Sequence, residues 1–565
     1  MKRIYIYIMA AAACCSSAMP AGAKKRQAGA DSVTVTLNPT LPTDSTVAWR
    51  RLLLWGPDPT GGPEVIENPR VAAAESSITF SLPARYAGER VRAVLVSDRG
   101  VCSGTFVPGR EVPAEPPLQP AAIEVEDMES SSAARLAMSH NGRDGIVTLD
   151  GTGARILLEV RSPAAPVTAA LLPQSADNGF DSLHDSTALP RCRLERLSCE
   201  PEAGGWTVCL GLYYDREAGE LPCALLELAD TLSGLKCSYD IRMPGEVTAG
   251  EQQEAELAMP PGDYSGITRI GPDLYAVVND KQDGLHLLSV PVDIGSGGMV
   301  LAGIPEYRRF VKGGETSRDC EDIVWYAPRR TLFIAGEGDG RILEYDPATG
   351  SKTGRELAVP GIFGTARNNY GFEALTYDPA AGLFWTTTES TLPADGDSGS
   401  YLKRTGNRLR LTAFDETLAP CGEFPYLTDT PAAGTAPWKY AFGVPAIAAL
   451  PDGRLLVLER EFWVGEGLEV LKSYVECRLY LANPWQSKPL AEGETLAAME
   501  PGRFMPKKLL AHWRSDIGTI ANYEGMCLGP QPDRRHLSLL LVNDSQSGYA
   551  GLLRDYIRLI NLTAE

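Results

Sequence analysis

Glutamate recurs at matched places in the C-terminal half of the chain. Residues 369–379 read NYGFEALTYDP and residues 522–530 read NYEGMCLGP, each with Asn-Tyr ahead of a glutamate and a short apolar run that reaches proline. Glu321 opens a comparable run, EDIVWYAP, and Glu337 and Glu389 follow Glu321 and Glu373 at the same separation of 16 residues. Asp280, Glu459 and Asp544 end further apolar runs of the same kind. Carboxylates gathered at one place repel one another unless a cation or a proton sits between them. Two chemistries suit such a set. A hard divalent cation, Ca²⁺ foremost, could be held by oxygens of Asp280, Glu321, Glu373, Glu389, Glu459, Glu524 and Asp544, and could polarise a phosphate ester for attack by water. Alternatively, one carboxyl with a raised pKa could act as general acid or base.

Glu373 and Glu524 are the leading catalytic candidates, with Arg367, just ahead of NNYGFE, as the partner for an anionic oxygen. Lys281, Arg341 and Arg460 are further cations that either bind an anion or neutralise a neighbouring carboxylate. Taken singly, each acid is better explained by a turn cap or an ion pair; repetition is what favours a site. The five histidines do not follow the repeat, and no G-x-S-x-G, P-loop or H-E-x-x-H stretch occurs.

The elements that must position these acids are short strands. From about residue 262 a unit returns: an apolar strand, a turn with Pro, Asp or Gly, a second apolar strand with an acidic or amide end, and a third strand. Copies read SGITRIGPDLYAVVND, EDIVWYAPRRTLFIAGEGDGRILEYD, EALTYDPAAGLFWTTTES, PAIAALPDGRLLVLERE and EGMCLGPQPDRRHLSLLLVNDSQSG. Radial repetition of this kind predicts a β-propeller, in which first-strand starts and second-strand ends share one face. The expectation is an all-β chain with a C-terminal β-propeller over 251–565. Five repeats are counted and a sixth blade stays open. The last copy ends too soon for four strands, so a strand from before the first copy, near 236–243, is expected to complete it.

Ahead of that region, residues 24–110 read as a small β-sandwich, 111–120 as a Pro-rich linker, and 121–250 as a second β-rich module holding five cysteines, Cys192, Cys199, Cys209, Cys223 and Cys237. No C-x-x-C spacing occurs, so these are expected to be structural. Residues 1–23 read as a signal peptide, with Lys2-Arg3, an apolar stretch and Ala21-Gly22-Ala23. The expected location is therefore outside the cytoplasm, periplasmic or at a bacterial surface, with a lipid anchor at Cys14 as an alternative. No segment is expected to span a membrane. With 53 basic and 72 acidic residues the net charge is −19, which argues against nucleic acid as a partner.

The stretches YSGITRIG, CEDIVWYAP, NNYGFEALTYDP, GVPAIAALPDGRLLVLERE and NYEGMCLGP…LLLVNDSQSG together resemble the phytase-like family, esterase-like activity of phytase, over residues 262–562. The resemblance implies a secreted propeller with phosphoesterase or esterase activity on a small anionic substrate, with Glu321, Glu373, Glu459, Glu524 and Arg367 at the matching positions. Asp322 and Ala374 stand where the family pattern has glycine, and GVPA at 443–446 replaces its GISD. That replacement leaves a non-catalytic propeller binding a glycan, peptide or envelope protein as the alternative.

Overall fold

The computed structural model describes residues 32–565 apart from 38–47, 59–60, 68, 70–77, 110–117, 175–179, 182, 184–187, 216, 218, 261, 296–297, 314–317, 367–370 and 549–552. The expected signal peptide, Cys14 and Arg367 lie outside the described residues. Strand follows turn almost throughout, and six short 3-10 segments are the only helical ones among the described residues.

The N-terminal region forms a five-stranded sheet in the order Glu64–Glu67, Trp49–Trp55, Val91–Ser97, Val101–Phe106, Gln119–Ala121. Alternation along these strands sends Leu52, Leu54, Ala93 and Leu95 to one core, and Leu53, Val94 and Val96 to the other face, where they meet Ala164, Leu232 and Leu235. Next come a five-stranded and a four-stranded sheet that bury Ile156, Leu158, Val160, Leu210, Leu226 and Ile241 between them. Cys192, Cys223 and Cys237 are buried, unbridged thiols; Cys192 and Cys237 serve as small apolar side chains of this core, while Cys223 Sγ accepts from Arg242 Nη1 at 2.8 Å and donates to Pro451 O at 3.1 Å.

The rest of the chain forms five four-stranded antiparallel sheets, with no sixth among the described residues. Their first strands are Tyr264–Arg269, Cys320–Tyr326, Phe372–Asp378, Lys439–Ala449 and Asn522–Leu528. Each first strand packs on the next, and Asn522–Leu528 packs back onto Tyr264–Arg269. The approach is close. A Cβ on Gly266 would lie 2.6 Å from the Asp322 Cα, and one on Gly525 would lie 2.9 Å from the Gly266 Cα. Hence the residues at this level are Gly266, Ala374, Ala446 and Gly525. Asp322 is the exception, and it is used: its carboxylate accepts the N–H groups of Ile323 (2.8 Å) and Leu375 (2.7 Å), tying sheet two to sheet three.

The fifth sheet takes its outermost strand from before the first sheet, as expected, but that strand is Val247–Glu256, paired antiparallel with Tyr556–Ala564. Residues 236–243 do not serve. Lys236–Arg242 pairs instead with Gly145–Leu149 and Cys223–Ala229, and its inward Cys237, Tyr239 and Ile241 complete the preceding two-sheet core. That two-sheet unit rests on the turns between first and second strands. Asn141 donates to Ala381 O and Gly382 O, Gln174 donates to Ala380 O, and Arg242 lies 3.9 Å from Asp378. Those turns lie at the far end of the sheets from the acids described next.

Candidate active site

In each of the five sheets the pairing of first and second strands breaks register once, at the start of the first strand. The breaks fall between Tyr264 and Gly266, Cys320 and Asp322, Phe372 and Ala374, Gly443 and Ala446, and Tyr523 and Gly525. The residues left over are Ser265, Glu321, Glu373, Val444-Pro445 and Glu524. A β-bulge leaves its extra residue out of the ladder and re-aims its side chain. Two residues beyond the partners of Gly266, Asp322, Ala374, Ala446 and Gly525 stand Asp280, Glu337, Glu389, Arg460 and Asp544. Two tiers of side chains thus recur at one end of the sheets. They are acidic except for Ser265 in the first sheet and for Pro445 and Arg460 in the fourth.

Arg460 is 4 % exposed and reaches three neighbours. Its Nη1 donates to Asn522 Oδ1 (2.8 Å) and Glu524 Oε1 (2.5 Å), and its Nη2 donates to Glu389. Burial alone would depress its pKa; Glu389, Glu524 and Glu373 override that and raise it. Glu459 does not join this group. Neighbouring residues on a strand face opposite ways, so with Arg460 turned inward Glu459 faces out. There it accepts from Tyr426 Oη (2.7 Å), Lys507 Nζ (2.5 Å) and Asp429 N–H (2.9 Å). Glu461 likewise accepts from Ala432 N–H, Ala433 N–H and Tyr440 Oη.

On the other side of the ring, one oxygen from each of Asp280, Asp319 and Glu321 lies within 4.8 Å of the others. Lys281 Nζ stands 2.6 Å from Asp280 and 2.9 Å from Asp319. Asp319 carries no signal in the sequence. It precedes the first strand of its sheet and holds a left-handed backbone at φ 55°, which the local pattern does not announce. Glu337 accepts the Gly371 N–H at 2.6 Å, and Asp544 accepts the Gln546 N–H at 2.6 Å. Arg341 turns outward to Glu356, 2.7 Å away, and does not reach the ring.

Glu321 and Glu373 differ from the rest, because no hydrogen bond or salt bridge from a described residue reaches either carboxyl group. Burial first, then the charges of Glu321, Glu389, Glu337 and Glu524, push Glu373 well above the usual carboxylate range. Burial, then Glu524, Asp280, Glu337 and Asp319, do the same to Glu321. Burial and then Glu524 raise Asp544. Glu524 is raised by burial against the opposing effect of Arg460. The ring therefore has one side where Arg460 pairs with Glu389 and Glu524, and another where Lys281 pairs with Asp280 and Asp319 while Glu321 and Glu373 have no salt bridge of their own among the described residues. A polar cavity of about 440 Å³ opens beside the second side, lined by Asp319, Glu337, Asp339, Phe363, Phe372 and Thr388 among others.

A family model described as phytase-like, esterase-like activity of phytase, matches residues 260–546. No curated protein matches the chain. Among solved structures, one titled streptogramin B lyase structure is 12 % identical over 56 % of this chain and 98 % of its own, with a TM-score of 0.25, a likeness too slight to bear on fold or activity.

Proposed function

Because the chain belongs to the phytase-like family, esterase-like activity of phytase, we propose that its five sheets form a β-propeller whose acid ring hydrolyses phosphoester or ester substrates with a bound divalent cation, Ca²⁺ foremost. The N-terminal leader pattern supports an exported protein, periplasmic or at the cell surface. The single observation that carries the hydrolase reading is the pair Glu321, buried, and Glu373, half-buried, two carboxyl groups with no donor among the described residues, set in a ring of further acids.

The donor set fits a hard cation: all the side-chain ligands are oxygens, and those of Glu321 and Glu373 are not already spent on the protein. Glu321 and Glu373 would hold it, with Glu524 at their border. A divalent cation there would supply charge neutralisation and polarisation of a phosphoryl or acyl oxygen. The chain's own residues do the rest. Arg460 and Asn522 both donate to Glu524 Oε1, which fixes that carboxylate and leaves Oε2 to take the proton of an attacking water. Glu337, raised by burial and lining the cavity, is placed to return a proton to the leaving oxygen.

The test is turnover of p-nitrophenyl phosphate and p-nitrophenyl acetate with EDTA and then with Ca²⁺, by the full chain and by Glu373→Gln. Turnover restored by Ca²⁺ and lost in the variant supports the proposal. A second reading, a propeller that binds a glycan, peptide or envelope protein without turnover, rests on the fourth sheet, where Pro445 and Arg460 have displaced two acids. Absence of turnover on both esters, with Ca²⁺ bound, would favour it.

A further inference from the structure

The cavity beside Glu321 and Glu373 is chemically one-sided. The charged residues that line it, among those described, are Asp319, Glu337 and Asp339, and no lysine or arginine joins them. Two bases stand just outside, and both are engaged. Lys281 Nζ lies 2.6 Å from Asp280 and 2.9 Å from Asp319. Arg318, 6 % exposed, donates to both oxygens of Asp339 at 2.7 Å. No salt bridge from a described residue reaches Glu337. Behind the lining, Glu321 is 7 % exposed with no donor among the described residues, and its carboxyl oxygen lies within 4.8 Å of one on Asp319.

The hydrogen-bond donors of the lining are largely spent on the protein itself. Gly338 N–H donates to Arg318 O, Gly340 N–H to Glu337 O, and Ala366 N–H to Phe363 O. Gly371 N–H donates to Glu337 Oε1, and Thr388 Oγ1 donates to Ser390 O. What stays available is carboxylate oxygen, which only accepts. Phe363 and Phe372, with ring centroids 5.0 Å apart, form the apolar side of a space of about 440 Å³. An occupant that pairs with this lining must bring donors, hydroxyl or ammonium. One that brings a negative charge meets acids and leaves that charge unpaired.

We propose that this cavity receives the leaving group of the substrate, and that the group is rich in hydrogen-bond donors and free of negative charge, as a sugar or an amino sugar is. The inference rests on the hydrolase reading and names its substrate class: an ester whose only negative charge is on the group transferred to water. Hydrolysis adds water across the ester bond, and the leaving oxygen departs as a hydroxyl with the proton that Glu337 returns. A second phosphate on the leaving group would lie among Asp319, Glu337 and Asp339, with no cation among the described residues left to meet it. Two measurements test this, and only the first needs turnover. In excess Ca²⁺ the full chain is given glucose 6-phosphate, glucosamine 6-phosphate and fructose 1,6-bisphosphate, and kcat/KM for the first two is expected to exceed that for the third about tenfold or more. Separately, saturation-transfer NMR follows glucose, glucosamine and glucuronate on the same chain, and the first two are expected to take up saturation while glucuronate does not. Glucosamine ahead of glucose assigns the recognition to ammonium, and the reverse order to hydroxyls. A Cβ at Gly364, in the lining, meets nothing within 4 Å, so Gly364→Lys adds an ammonium to the cavity and is expected to admit glucuronate. Hydrolysis of the bisphosphate as fast as the monoesters overturns the proposal, and so does saturation of glucuronate equal to that of glucose. Turnover of none of the esters defeats the hydrolase reading instead, and the binding series then decides the selectivity of the cavity by itself.

Discussion

Arg460 is a buried cation among acids, and its removal should be costly in a way that can be dissected. Arg460→Met leaves Glu389 and Glu524 without their shared partner, and breaking a buried pair on one side typically costs about 3–5 kcal/mol. Urea unfolding should show a loss of that order, with much of it recovered in Arg460→Met/Glu389→Gln/Glu524→Gln, where no charge is stranded. A separate residue sets a pH dependence. Burial among Tyr264, Tyr307 and Phe310 lowers the His286 pKa from 6.5 to about 4, so the unfolded chain takes up this proton first. The stability it contributes is present above pH 6.5 and is lost as pH falls toward 4, by about 3 kcal/mol in all. His286→Phe should flatten that part of the stability curve, measured by urea unfolding between pH 4 and 7. At this scale the sequence was legible as to type but not as to direction. Glu459, Arg460 and Glu461 stand side by side, and a one-residue slip of register exchanges which of them faces the opening. The bulge that decides it spans Val444 and Pro445, and the local pattern there gives no count of residues left unpaired.

Among the elements, the least legible strand is the one that closes the fifth sheet. Val247–Glu256 reads VTAGEQQEAE and has only Val247 buried, because an outermost strand has one free edge and only Val247, Ala249 and Ala255 meet the apolar clusters beside it. The inner strands were readable because both of their faces are buried, which leaves near-continuous apolar runs bounded by turns. What holds the outer strand is partly a hairpin, Val292–Gly295 with Gly298–Leu301, inserted in the first sheet. Asn561 Oδ1 accepts the Met299 N–H at 3.0 Å while its Nδ2 donates to Met299 O at 2.8 Å. Gln253 Oε1, on the outer strand itself, accepts the Leu301 N–H at 3.0 Å. Asn561→Ala/Gln253→Ala removes these side-chain bonds across the seam, at a cost of about 1–3 kcal/mol. Hydrogen exchange should report it as faster opening confined first to 247–256 and 298–301, with the other four sheets unaffected until global unfolding.

For the whole molecule, the ring of acids makes stability depend on what neutralises it. The chain carries −19 overall, and burial together with neighbouring acids holds Glu321 and Glu373 well above the usual carboxylate range, so ionising them in the folded chain is costly. Without a cation these two groups oppose folding; with one, the same oxygens become a reason to fold. A ligand that binds only the folded chain at 100 times its Kd adds about 2.7 kcal/mol, which for a protein of this size raises Tm by roughly 2–4 °C. Thermal unfolding in EDTA and then in Ca²⁺ should show that rise. Glu321→Gln/Glu373→Gln should behave in the opposite way on both counts. Its Tm in EDTA should exceed that of the parent chain, because two carboxyl groups whose pKa values rise on folding, and which therefore oppose folding at neutral pH, are gone, and Ca²⁺ should then leave it unmoved. The two halves of this result separate two statements. A variant stabilised in EDTA while a Ca²⁺ shift persists would keep the buried repulsion but move the cation elsewhere, to Asp280, Asp319 and their neighbours. A variant no more stable than the parent would mean that Glu321 and Glu373 cost the folded chain nothing, either as charges or as retained protons, since a carboxyl whose pKa rises on folding opposes folding at every pH above its unfolded pKa. The two acids would then offer no unmet charge for a cation to neutralise.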